Sequence, residues 1–147
     1  MSLLDTLSQD LKEALKARNE IKLSTLRMIK ASLKNKEIEK MAALTDDEIV
    51  AALSTMAKQR RESIEQYTAA GRLELASREE QELFIIQSYL PKQLSPEELD
   101  AVIRAAIQES GAASPSDMGK VMKVLMPKVK GVADGKLVNQ RVKDLLQ

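Results

Sequence analysis

Residues 117–147 read Asp-Met-Gly-Lys-Val-Met-Lys-Val-Leu-Met-Pro-Lys-Val-Lys-Gly-Val-Ala-Asp-Gly-Lys-Leu-Val-Asn-Gln-Arg-Val-Lys-Asp-Leu-Leu-Gln. Met118, Val121, Met122 and Leu125 recur at helical spacing, and so do Val138, Val142 and Leu145. The spacing predicts two short amphipathic helices joined by a turn at Gly131, which stops the first helix in a left-handed conformation. Asp134 is placed to cap the second helix. Pro127 has no N–H to donate, so the first helix is expected to kink or end there. Lys120, Lys123, Lys128, Lys130, Lys136, Arg141 and Lys143 stand against only Asp117, Asp134 and Asp144, while the whole chain has a net charge of +1.

Working toward the N-terminus, the rest of the chain also reads as helix. Ser114-Pro115 opens the first tail helix. Ser95-Pro96-Glu97-Glu98 is a helix start, with a cap, a proline at the first position and acids in the first turn. Leu99, Val102, Ile103 and Ala106 form the apolar face that follows, and Gly111 ends it. Pro91 closes a helix running from about Leu73, because the residue before proline is pushed out of the helical region. Thr45 and Glu48 form a capping box ahead of Ile49, Leu53 and Met56. Ser2 and Asn19 are caps for the first two helices. No strand pattern or internal repeat stands out. The expected fold is all-α: an N-terminal subdomain of long helices over 1–90, and a small three-helix domain over 96–147. At this size the second is marginal alone.

Composition narrows the chemistry. The 147 residues are 44% hydrophobic and 2% aromatic, so the core must be built from aliphatic side chains. There is no histidine and no cysteine. Histidine triads, thiol nucleophiles and zinc sites with nitrogen or sulfur ligands are excluded. No phosphate-binding loop is present: Gly131 and Gly135-Lys136 have the wrong spacing, a leucine follows, and no strand precedes. No catalytic residue, metal ligand or cofactor is expected. No signal peptide or membrane-spanning stretch stands out, and the lack of disulfides fits the cytoplasm, which is the expected location.

Two groups of side chains remain as site candidates. The first is the tail cluster Lys120, Lys123, Lys128, Lys130, Lys136, Arg141 and Lys143. It reads either as a solvated helix face or as a surface that neutralises phosphates without reading sequence. The near absence of aromatics argues against base stacking, which leaves folded RNA rather than single strands; DNA is not expected. The second is Arg60, which falls on the apolar line of its helix where a leucine belongs, while Glu79 falls on the apolar line of the next. A hairpin at Gly71 sets Arg60 beside Glu82 and about a turn from Glu79. That is either a partly buried structural ion pair or part of a second basic patch with Arg61 and Arg72.

Several strings carry a family resemblance: residues 26–31 (Leu-Arg-Met-Ile-Lys-Ala), 60–64 (Arg-Arg-Glu-Ser-Ile), Gly71-Arg72, Glu79 to Glu82, Tyr89-Leu90-Pro91 and the tail from Asp117. Over nearly its full length the chain resembles the YqeY family. Its tail resembles the tail domain of GatB, the tRNA-binding subunit of the glutamine-dependent tRNA amidotransferase. The resemblance implies an all-helical fold, and affinity for transfer RNA at Lys120, Lys123, Lys128, Lys130, Lys136 and Arg141. It does not imply catalysis, because the GatB core that activates charged tRNA has no counterpart here. Three functions follow as expectations. The first is a non-catalytic tRNA-binding or amidotransferase-associated protein. The second is a carbon–nitrogen ligase component using glutamine as amido donor, active only with amidotransferase subunits. The third is a protein-interaction module in which Met118, Met122 and Met126 pack a partner helix.

Overall fold

A computed structural model describes residues 2–147 as seven α-helices and one short 3-10 turn, with no strand among the described residues. The chain forms two compact units, Met1–Leu90 and Pro91–Gln147.

The first unit holds α1 (Leu3–Ala17), α2 (Glu20–Lys40), α3 (Asp46–Ala69) and α4 (Leu73–Gln87). Each of the first three helices starts where a local side chain satisfies an orphan backbone N–H. Ser2 accepts from the Asp5 amide, Asn19 from that of Lys22 and Thr45 from that of Glu48. In the Thr45 box the Glu48 carboxylate also takes Lys40 as a partner, and these bonds hold its acidity above that of an ordinary glutamate. Gly71 (φ 74°) turns α3 back into α4, and the two form the most extensive helix pair of the unit. Leu7, Leu26, Ile29, Leu33, Ile49, Leu53 and Ile86 are fully enclosed between the four helices. The Tyr89 hydroxyl donates to Asp10 Oδ2 at 2.6 Å, tying the chain after α4 to α1.

The second unit holds α5 (Pro96–Ser110), the 3-10 turn Pro115–Asp117, α6 (Met118–Val129) and α7 (Gly135–Leu146). Its core is Leu99, Ile103, Ala106, Val121, Leu125, Val129, Val138, Val142 and Leu146, contributed by all three helices. The chain just before α5 belongs to this unit: the Leu94 amide donates to the Val132 carbonyl at 2.8 Å and Gln93 Nε2 to the Gly131 carbonyl at 2.9 Å.

Three local expectations are corrected. Pro127 neither ends nor precedes the end of α6 by a break; the helix continues to Val129. A proline so close to the C-terminal end deletes one backbone bond in a turn that frays in any case, so the cost is small there. Asp134 precedes α7 but its side chain makes no cap hydrogen bond. The Ser114 to Asp117 segment forms the 3-10 turn, and the Asp117 carboxylate accepts from the Ala113 amide at 3.0 Å rather than capping α6. That bond is the main reason the Asp117 carboxyl titrates below its ordinary range.

Candidate nucleic-acid interface

The seven basic residues of the tail do not share the same surroundings. Their roles separate according to which acids the three-helix packing brings to them. Arg141, on α7, faces α5: its Nε and one terminal nitrogen each lie 2.8 Å from the Asp100 carboxylate oxygens. This two-pronged contact is the strong geometry for arginine and carboxylate. It holds the Asp100 carboxyl below its ordinary range, chiefly through the Arg141 hydrogen bonds, and raises Arg141 in turn. Asp144 approaches the same guanidinium at 3.4 Å. Lys128, on α6, pairs with Glu109 of α5 at 2.6 Å. Lys120 is within 3.8 Å of Asp117, one turn earlier on its own chain segment. Arg141 is therefore a strut between α5 and α7, and the charge of Lys128 and Lys120 is partly matched at home.

Lys123, Lys130, Lys136 and Lys143 are different. All four are exposed. Lys123, Lys130 and Lys143 carry no ion pair among the described residues. Their placement follows from helix geometry. A residue advances about 100° around an α-helix, so Lys123 and Lys130 stand about 140° and 160° from Lys128. By the same count Lys136 and Lys143 stand about 140° and 160° from Arg141. Lys128 and Arg141 point to α5, so the four lysines occupy the flanks of α6 and α7 that turn away from it. Lys136 and Lys143, seven residues or two turns apart in α7, share one face, and Lys130 stands just past the end of α6 as its C-cap. Met126 is 43% exposed and lies between Lys123 and Lys130 in the sequence, whereas Met118 and Met122 are packed against the core of the unit. A continuous methionine stripe for a partner helix is not presented.

In the first unit, Arg60 lies between two acids of α4. Its Nε is 2.9 Å from Glu82 Oε2 and 3.3 Å from Glu79 Oε2, and the three side chains are only 16–20% exposed. Neither approach is aligned as an N–H···O bond, so the Arg60 Nε and Glu79 Oε2 are enclosed without a hydrogen-bond partner. The guanidinium also rests on the Met28 sulfur. Burial pushes the Glu79 carboxyl above its ordinary range, against the pull of Arg60. Arg78, 62% exposed, reaches Glu82 from the outside at 3.7 Å. The outward patch of Arg60, Arg61 and Arg72 is not assembled, because Arg60 is turned into the interface between α3 and α4. The acids that claim Arg141 and Lys128 were the residues sequence reading missed: Asp100 and Glu109 are 41 and 19 positions away, and only tertiary packing pairs them.

Comparison with known proteins adds a family. The chain matches the family described as Yqey-like protein over residues 4–146. It is similar to the protein named "Altered inheritance of mitochondria protein 41, mitochondrial" from several fungi. Identity is 35% over 106 residues for the Vanderwaltozyma polyspora protein, covering 70% of this chain and 57% of the relative. For Lachancea thermotolerans it is 34% over 113 residues, covering 75% and 60%. For Pyrenophora tritici-repentis it is 28% over 149 residues, covering 97% and 80%. The chain thus spans a little under two thirds of the length of the first two relatives. Their names correct the expected cytoplasmic location, since these relatives are mitochondrial proteins. A chain without cysteine says only that no disulfide is needed, which does not select the cytoplasm among compartments. No helix among the described residues is long and apolar enough to cross a membrane.

Proposed function

We propose, from the premise that the chain belongs to the Yqey-like protein family, that it is a small helical binding protein for folded RNA, transfer RNA foremost. It works through the lysine flank of α6 and α7. The observation that carries this reading is the division of the basic cluster. Lys120, Lys128 and Arg141 have acids of the same unit beside them, while Lys123, Lys130 and Lys143 are exposed with no ion pair among the described residues, and Lys136 is exposed on α7. An exposed lysine is a mobile point charge on a long stem, suited to phosphate and indifferent to base identity. The rigid strut between Arg141 and Asp100 holds α7 in place while the lysines act. Transfer RNA is preferred among folded RNAs because the tail resembles that of the tRNA-binding amidotransferase subunit. That resemblance also makes an amidotransferase the partner to test. For location, the names of the relatives point to the mitochondrion, and that is the setting we carry over.

The test is a titration of labelled transfer RNA with the full chain at a series of salt concentrations. Three to four phosphates neutralised give a log–log slope between about −2 and −4. Affinity then falls by about a hundredfold from low to moderately raised salt. A slope near zero, or no binding at low salt, removes the RNA reading.

A further inference from the structure

A groove of about 560 Å³ runs along the outer side of the first unit, between the start of α2 and the length of α4. Ile21 and Ile85 contribute apolar surface to it, and Lys22, Ser77 and Glu80 also line it. Phe84, the single phenylalanine of the chain, belongs to the same wall and is 76% exposed. Leu73 is 67% exposed. It lies eleven residues, close to three turns, before Phe84, on the same line of α4. Single exposed apolar side chains are ordinary. Here a large aromatic projection stands beside a recess of the kind that accepts one, on one patch of surface. Lys22 and Glu80, of opposite sign, both line the recess, and neither forms an ion pair among the described residues.

Those features match a copy of themselves. A two-fold contact brings residue i of one chain to residue j of the other, and j to i. Projection beside recess, and plus beside minus, are both satisfied by that operation without any second surface. An antiparallel pairing of two α4 helices centred near Gln81 sets each Phe84 within the span Ser77 to Ser88 that lines the other copy's groove. The small side chain of Ser77 lies within that span and lets the helices approach. We infer that this groove is a self-association surface, in which Phe84 of each of two copies enters the groove of the other and Lys22 of one meets Glu80 of its mate. A hot spot built on one aromatic anchor in a pocket is the usual energetic pattern for such contacts.

Sedimentation equilibrium of the full chain across a wide concentration range tests this. The expected result is a dimer that dissociates on dilution. Phe84→Glu abolishes it, with the far-ultraviolet circular dichroism of the wild type retained. Lys22→Glu and Glu80→Lys each weaken the dimer by at least about tenfold, and the double exchange restores it, which a merely misfolded variant does not do. A wild-type chain of monomer mass at every concentration overturns the inference. So does a dimer indifferent to Phe84→Glu, or one that the double exchange leaves broken.

Discussion

Changing Lys123, Lys130, Lys136 and Lys143 together to alanine is expected to weaken transfer-RNA binding by at least about a hundredfold at low salt and to flatten the salt dependence by about one unit per lysine. The effect is electrostatic. Each lysine that meets a phosphate releases condensed counterions, and that release is worth most when bulk salt is low. The four residues are exposed, so their removal leaves the core of the unit intact. Alanine is the best helix former, so α6 and α7 persist in the variant. The contrasting variant changes Lys120, Lys128 and Arg141. It removes nearly as much formal charge, yet its slope is expected to stay close to that of the wild type. Those side chains already face Asp117, Glu109 and Asp100. If the two variants lose slope in proportion to charge alone, the binding surface is diffuse and the division of the cluster has no functional meaning.

Arg60→Met is expected to destabilise the first unit by about 3 kcal/mol at neutral pH, the lower end of the cost of breaking a buried ion pair. The lower end applies because the three side chains keep 16–20% exposure. Methionine preserves most of the packing volume, so the loss comes from leaving Glu79 and Glu82 charged and enclosed without their cation. The sign of the pH effect follows. Burial already raises Glu79, and removing Arg60 raises it further. A carboxyl raised in the folded state binds more protons folded than unfolded. Its ionised form therefore costs stability that returns as pH falls through the folded value. The deficit relative to wild type is expected to shrink on acidification toward the ordinary glutamate range, as Glu79 becomes neutral. Carboxyls that Ser2, Lys40 or Arg141 lower are common to both proteins and cancel in the difference. Replacing Arg60, Glu79 and Glu82 together with methionine or leucine is expected to recover wild-type stability or exceed it. Chemical denaturation at neutral and acid pH measures all three. A loss independent of pH contradicts the assignment.

The fold was legible where the forces are local. Ser2, Asn19, Thr45 and Ser95 begin helices because each side chain reaches an amide two or three residues on, a distance sequence spacing states directly. Gly71 and Gly111 end segments because they adopt positive φ, which glycine takes at little cost. Asp134 precedes α7 without capping it, because an acid before a helix can cap it or face elsewhere and spacing does not distinguish these. Within the site, exposure of the lysines was readable from the apolar periodicity of α6 and α7. Which of them remain available was not. Asp100 and Glu109 lie on α5, and their meeting with Arg141 and Lys128 is a product of how three helices pack. Phe84 shows the same limit from the apolar side: its position one residue from Leu83 on α4 decides that it faces out, and no local signal says what the outward face meets.

In the proposed complex, RNA meets the flank of α6 and α7 turned away from α5. Backbone chemical-shift mapping of the isotope-labelled full chain during titration with transfer RNA tests it most directly. Salt-sensitive shifts are expected to concentrate at Lys123, Lys130, Lys136 and Lys143 and their neighbours, with Asp100 and Glu109 little changed. Shifts confined to the first unit, or spread evenly over every lysine of the chain, would contradict it.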